Sequence, residues 1–380
     1  MNVGKESNRN AEAPRSSLHY GNFRDPIGLA LRLVRSGGAI GRKLLAREFI
    51  ARGCAPLDLA LSLGESRLRK RIVDSRRADS KSGDARPGVY LILGSPRSGT
   101  TLCYQALAHR LNVGYATNLN SCFPRAPLSA ARWFDVRRGA PSGGFENLYG
   151  NTARLGDVND AFHLWNRFLG DNRYEPAVAI APEEARRMEE MFFVLTSLWK
   201  KPFLNKNNRN GGCASLLAAA LPQARFLVVR RDPAMVVQSL LAARRWVQGD
   251  VGEPWGLYAQ NDADYEGPHR HLLAVCDQVI ASEEALDRHR ENIAPDRWIE
   301  FSYEAFCADP EAIVDRLLAT FDELSRREGA SAGPLPQFPV SHKCTLTDEE
   351  RAVVERRLAR LKSPPLSPAV PTSLPRDHVS

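Results

Sequence analysis

The residues best equipped for chemistry run consecutively: Gly94-Ser95-Pro96-Arg97-Ser98-Gly99-Thr100-Thr101. Glycines let a backbone approach a phosphate closely, and Ser98, Thr100 and Thr101 add hydroxyl donors. The apolar run Val89-Tyr90-Leu91-Ile92-Leu93 precedes them, and an amphipathic stretch with Leu102, Cys103, Ala106, Leu107 and Leu111 follows. Strand, tight loop and helix together aim backbone N–H groups and the positive end of the helix at one anion. The spacing Gly94-x4-Gly99 is that of ATP and GTP phosphate loops, yet Thr100 stands where that pattern requires lysine. The cation is instead Arg97, inside the loop. That favours an anion with no γ-phosphate to grip and no bridging magnesium; a kinase or nucleotidase would have to bring its lysine from elsewhere. The loop is not Gly-x-Gly-x-x-Gly either, which speaks against a dinucleotide. A ligand-free turn would be the other use of such a segment, but an arginine and several hydroxyls serve packing poorly.

A second anion grip is offered by Phe226-Leu227-Val228-Val229-Arg230-Arg231-Asp232-Pro233. It places Arg231 at the C-terminal end of a buried strand, the edge at which open α/β sheets bind ligands. Ser239 follows about two helical turns into the helix that Pro233 opens, so Arg231 and Ser239 could hold one anion between them. The plainer use of the same residues is a helix start, with Asp232-Pro233 as cap and first turn and Arg231 solvated.

Taken together, these segments resemble the PAPS-dependent sulfotransferase superfamily. Its 5′-phosphosulfate loop is similar to Pro96-Arg97-Ser98-Gly99-Thr100-Thr101, and its 3′-phosphate motif to Arg231-Asp232-Pro233 followed by Ser239. The stretch Phe301-Ser302-Tyr303-Glu304-Ala305-Phe306, then Asp309-Pro310, resembles a later family segment whose tyrosine lies near the adenine, here Tyr303. The likeness spans roughly residues 88–325, with the three segments in the family's order. It implies 3′-phosphoadenosine-5′-phosphosulfate (PAPS) as donor, adenosine 3′,5′-bisphosphate as product, no metal, and a small-molecule, glycan or lipid acceptor. In cytosolic members a Lys-Thr-His segment puts a lysine near the bridging oxygen and a histidine as base. Lys206, in Leu204-Asn205-Lys206-Asn207-Asn208, keeps that lysine, while Asn208 stands where the histidine would be. The alternative for Lys206 is a surface position in a polar loop.

The missing histidine leaves the base open. Other branches of the family use a carboxylate after the phosphate-loop helix, but Ala116-Thr117-Asn118-Leu119-Asn120 has none. The next candidates are Asp160 and His163, which share a face if both lie on one helix, so that one orients the other. Equally, Asp160 caps that helix and His163 is structural. The run Asp262, Asp264, Glu266, His269 and His271 lacks a metal-binding spacing and reads as a solvated loop. A chain of this pattern that had lost its base would be a catalytically silent nucleotide binder; only activity separates the two.

These residues need elements to position them. Short apolar runs at 89–93, 226–229 and 298–301 read as buried strands. Helical patterns fill Thr101–Leu111, Pro182–Lys200, Pro233–Arg244, Leu272–His289 and Pro310–Phe321. Strands separated by helices predict a P-loop-like three-layer α/β fold with a mainly parallel central sheet. Ahead of it, residues 25–87 read as a basic helical extension of two or three helices, broken at Gly37-Gly38 and Gly53–Pro56, with a linker from Ser75. The transferase-like domain is expected over 88–362, with residues 1–24 disordered and 363–380, rich in proline, a flexible tail.

Charge is uneven along this layout. Residues 1–80 hold 16 Lys/Arg against 8 Asp/Glu, whereas the remaining 300 carry 36 of each sign. No nucleic-acid partner is expected; the extension is expected to be a solvated helical face or, through residues 25–77, a contact with a membrane surface. The seven cysteines never form a Cys-x-x-Cys pair, no secretory leader opens the chain and no long apolar run crosses a bilayer. A reducing, cytoplasmic setting is therefore expected.

Overall fold

A computed structural model of the chain describes residues 25–79, 87–134, 144–329 and 333–361. The segments expected to be disordered or flexible, 1–24 and 363–380, lie outside those residues. Three helices lead: α1 (Pro26–Arg35), α2 (Gly38–Gly53) and α3 (Ala55–Asp79). The breaks fall where the glycines and Pro56 placed them. At Gly37 the chain passes so close to the preceding turn that a Cβ would sit 2.5 Å from the Leu33 carbonyl oxygen. The third helix is longer than expected: it is one piece through Asp79, past the Ser75 at which the sequence began the linker.

The sheet and its covering helices follow as β1 (Val89–Leu93), α4 (Thr100–Arg110), α5 (Pro127–Trp133), α6 (Phe162–Leu169), α7 (Pro182–Trp199), β2 (Phe203–Lys206), α8 (Ala214–Ala220) and β3 (Ala224–Arg230). After these come α9 (Pro233–Val247), α10 (Arg270–Asn292), β4 (Trp298–Ser302), α11 (Tyr303–Ala308), α12 (Pro310–Thr320) and α13 (Asp348–Leu358). The four strands run parallel in the order β2-β1-β3-β4. Alternate side chains feed two cores, as the period of a pleated strand requires. Val89, Leu91, Leu93, Phe203, Phe226 and Val228 pack toward α6, α7 and α8. Tyr90, Ile92, Leu204, Leu227, Val229 and Phe301 pack toward α4 and α12. Both faces are dry, which is why β1 reads as an unbroken apolar run. This is the expected α/β architecture, a parallel sheet between helical layers.

One strand was not expected. β2 is four residues long and half polar, so its sequence looks like a loop. Its Asn205 is fully buried nonetheless, because the side chain is satisfied on both ends: it accepts from Trp165 Nε1 at 2.8 Å and donates to the Asn159 carbonyl at 3.1 Å. A buried amide so bonded costs little. The helix α13 was not expected either, although Thr347 and Glu350 form a complete capping box at its start.

The leading helices are fastened to the sheet domain by their polar residues. Asp58, 1% exposed, accepts from the amides of Arg125 and Ala126, and Glu65 accepts from those of Leu128 and Ser129. Both carboxylates thereby satisfy orphan donors at the N-terminus of α5 and meet its positive end. Among the described residues no helix is long and apolar enough to cross a membrane.

Candidate active site

All four strands end at one edge, and each end contributes to one cavity. The segment after β1 is the Gly94–Thr101 loop, β2 ends in Lys206, Arg231 follows β3 and Tyr303 follows β4. Because the strand order reverses at β1, the helices beside it leave a crevice there. The cavity is about 560 Å³, and its walls include Pro96, Arg97, Gly99, Thr100, Thr101, Asp160, Lys206, Arg231 and Tyr303. That volume is in the range of nucleotide-sized sites.

The loop is shaped by close approach. At Gly94 a Cβ would lie 2.5 Å from Ser98 Oγ and 2.7 Å from the Val229 carbonyl oxygen. Gly99 has φ +92° and lies against Tyr303, whose ring carbon would be 2.1 Å from an added Cβ. Gly99 is also the N-cap of α4, and no side chain caps that helix. The first-turn amides of α4 are thus left facing the cavity with the positive helix end behind them.

Two arginines stand beside that helix end. Arg97 adopts φ +74°, a conformation a non-glycine residue holds only where its surroundings enforce it. Its Nε donates to Ser239 Oγ at 3.2 Å and its guanidinium stands 5.3 Å from the Tyr149 ring centre. Burial, with the charge of Arg231 nearby, presses the Arg97 pKa down, yet a guanidinium stays charged at neutral pH. Arg231 donates through Nη1 to the Arg97 carbonyl at 3.1 Å and lies 4.7 Å from the centre of the Tyr303 ring. Its Nε is buried without a partner. Among the described residues no carboxylate pairs with either arginine.

Three further cations, Arg173, Lys206 and Arg209, line the rest of the wall. Lys206, 4% exposed, pairs with Asp160 at 2.9 Å. The carbonyl of Asp160 is held by Asn207 Nδ2 at 3.0 Å, and Thr100 Oγ1 donates to Asn208 Oδ1 at 3.0 Å. Asn208 therefore ties the loop to the end of β2, and both it and the lysine line the cavity.

Of the residues singled out from the sequence, Arg97, Gly99, Thr100, Thr101, Pro96, Arg231, Tyr303, Lys206 and Asp160 meet at the cavity wall. Ser239 sits behind Arg97 as its acceptor. Ser98 is tucked under the loop, fully buried, with its hydroxyl unpartnered. His163 stands apart from these residues. It does not line the cavity, and Asp160 pairs with Lys206 rather than with it. The shared-face expectation fails because α6 begins only at Phe162, with Ala161 in the left-handed region, so Asp160 precedes the helix. His163 keeps some exposed edge but is otherwise enclosed. Desolvation and the Arg167 guanidinium push its pKa down to about 3, which leaves it neutral near pH 7. The cavity also has walls that no motif announced: Phe145, Tyr149, Phe162, Trp255 and Phe338 come from loops and one short helix. Isolated aromatics in irregular segments carry no periodic signal.

An uncapped helix end flanked by two arginines without counter-ions fits a ligand with more than one anionic group. Among the described residues no cluster of three or more His, Cys, Asp or Glu side chains converges that could hold a metal.

Among solved structures, a sulfotransferase of Mycobacterium tuberculosis H37Rv is similar over 89% of this chain and 92% of its own, with 14% identity and a TM-score of 0.46. A sulfotransferase of Mycobacterium avium is similar over 76% of this chain and 72% of its own, with 18% identity and a TM-score of 0.43. A third, from Alicyclobacillus acidocaldarius, is similar over 73% and 95%, with 13% identity and a TM-score of 0.35. No curated protein sequence matches the chain. A profile of the Sulfotransferase family matches residues 90–324, a stretch that runs from β1 past α12 and takes in the loop, Asp160, Lys206, Arg231 and Tyr303; the chain belongs to the Sulfotransferase family.

Proposed function

We propose that the protein transfers a sulfuryl group from PAPS to a hydroxyl of a carbohydrate, lipid or other small-molecule acceptor. The observation that carries this reading is the pair of arginines without counter-ions, Arg97 and Arg231, at the uncapped start of α4. The 5′-phosphate end of the donor takes the loop amides and Arg97; the 3′-phosphate takes Arg231, with Ser239 holding Arg97 in place. Tyr303 supplies a face for the adenine.

The acceptor oxygen attacks sulfur, the bond from sulfur to the 5′-phosphate oxygen breaks, and the proton of the hydroxyl passes to Asp160. Negative charge grows on the departing phosphate, so the chemistry needs fixed cations more than covalent help. The Lys206–Asp160 pair couples the two ends of that event. As the carboxylate takes the proton its hold on the ammonium weakens, and Lys206 is released to the charge that is growing on the leaving oxygen. With Asn208 engaged by Thr100 and His163 outside the cavity, Asp160 is the base this reading requires.

Residues 88–362 form the transferase unit in this reading. A cytoplasmic setting agrees with all seven cysteines being free thiols.

The test is a calorimetric titration with adenosine 3′,5′-bisphosphate in the absence of metal, with AMP and Mg-ATP as comparison ligands. Micromolar binding that needs the 3′-phosphate, and that the Arg97→Ala variant weakens by about a hundredfold or more, is the expected result. A preference for Mg-ATP, or no binding of the bisphosphate, would overturn the reading.

A further inference from the structure

The chemistry at the strand edge leaves the three leading helices without a role, and their outward face is unlike the rest of the surface. Ten large hydrophobic residues are exposed among those described, and all but Trp133 and Val178 lie between residues 27 and 63. On α1 they are Ile27, Leu31 and Val34, spaced so that they share one helical face. On α2 and α3 the most exposed are Phe49 at 68% and Leu63 at 81%. Scattered single apolar residues on a surface mean little, but a concentration of this kind marks a contact site.

Charge on the same helices is sorted by side. The carboxylates of Asp58 and Glu65 point inward onto the start of α5, and Glu48 is drawn against Arg52. The exposed cations include Arg42, Lys43, Arg52, Arg67, Lys70 and Arg71, while Asp74 is the exposed acid between Pro26 and Ser75. Aliphatic and aromatic side chains among surface cations are the chemistry that inserts into the boundary of a negatively charged bilayer. A second copy of the chain suits this face poorly, since a symmetric contact would set cation against cation. A nucleic acid suits it poorly too, since phosphates would lie against Ile27, Leu31 and Leu63.

We propose that α1, α2 and α3 form a docking surface for an anionic lipid bilayer. The surface is joined to the cavity wall: Arg47 of α2 donates to the Thr152 carbonyl at 2.8 Å and to Asn118 Oδ1 at 2.7 Å. The neighbouring residues Tyr149, Gly150 and Asn151 line the cavity. A docked molecule therefore holds this wall close to the lipid headgroups. That a membrane-borne acceptor enters there rests on the transfer reading above; the docking does not.

The full chain is tested by flotation with vesicles of phosphatidylcholine alone and of phosphatidylcholine mixed with phosphatidylglycerol. It floats with the mixed vesicles, far less with the neutral ones, and raised salt reduces the bound fraction. The Leu31→Glu/Leu63→Glu double variant loses about tenfold or more in partitioning, and Arg42→Ser/Lys43→Ser loses severalfold. Both keep the parent's melting temperature, because every altered side chain is exposed. Equal recovery with and without anionic vesicles overturns the proposal. So does a dimer by light scattering that Leu63→Glu dissociates, which would make the face a contact between copies. The vesicles contain no sulfuryl donor, so a failure here leaves the transfer reading standing, and the reverse holds.

Discussion

Arg230 and Arg231 are neighbours in sequence and opposites in circumstance. Arg230 turns into the protein, where Glu283, Asp287 and Glu300 meet it at 2.6, 2.8 and 2.9 Å. Burial alone would lower its pKa; Glu283 and Glu300 overcome that and raise it. Arg231 turns to the cavity and finds a carbonyl oxygen and an aromatic face, and no carboxylate among the described residues. One knot is closed upon itself and contributes to the stability of the fold. The other is a held cation that no carboxylate among the described residues neutralises, which is what the proposed nucleotide site requires. Successive residues at a strand end face opposite sides, so the period of β3 separates two identical side chains.

The comparison is most directly broken by substituting each arginine in turn. Arg230→Met strands three partly buried carboxylates and is expected to cost about 3–5 kcal/mol of unfolding free energy. Arg231→Met removes a cation with no carboxylate partner, and its unfolding midpoint in denaturant is expected to stay near the parent's while affinity for adenosine 3′,5′-bisphosphate collapses. If the two variants were equally unstable, the division between a structural and a ligand-seeking arginine would be wrong.

Asp160→Asn carries the contrast to the other wall, for it turns Lys206 from a paired into an unpaired cation. The turnover number is expected to fall by about a thousandfold through loss of the proposed base, while the dissociation constant of the bisphosphate improves or holds. Weakened nucleotide binding with turnover intact would reverse the roles given to the two walls. Ser239→Ala is gentler. It frees Arg97 Nε from its acceptor, and affinity is expected to drop by about tenfold, the worth of one hydrogen bond to a charged group.

The smallest effect concerns His163. In the fold it stays neutral until the pH falls to about 3, whereas an unfolded imidazole takes its proton near pH 6.5. The unfolded state then binds more protons between those limits, so stability contributed by the neutral ring is present above pH 6.5 and is lost as the pH falls through that window. Melting temperatures of His163→Leu and the parent should converge on acidification, with the pH profile of turnover unchanged. A shift in that profile would return His163 to the chemistry.

The parts of the site that were legible in the sequence are those in which chemistry and backbone are written together. Gly94 and Gly99 serve close approach, Arg97 lies between them, and the apolar run of β1 announces the strand beneath. Arg231 was legible for the same reason, at the end of a buried run. Lys206 was legible only as a residue type, because a strand of four residues with Asn205 inside it has no periodic signature. Its pairing with Asp160 spans 46 residues of chain, and only the fold brings them together. The expectation for His163 failed on a local detail, the left-handed turn at Ala161 that delays the helix by two residues.

The sheet edge has a consequence for how such a protein diversifies. Each strand ends in one residue or loop of the cavity wall, and those ends are fixed by three strand registers and two dry cores. Much of the remaining wall, Phe145, Tyr149 and Phe338 included, comes from irregular segments between elements. Insertions and substitutions there leave the strand ends where they are. Under the proposed transfer, the choice of acceptor can be rewritten in those loops while the strand-end residues stay in place.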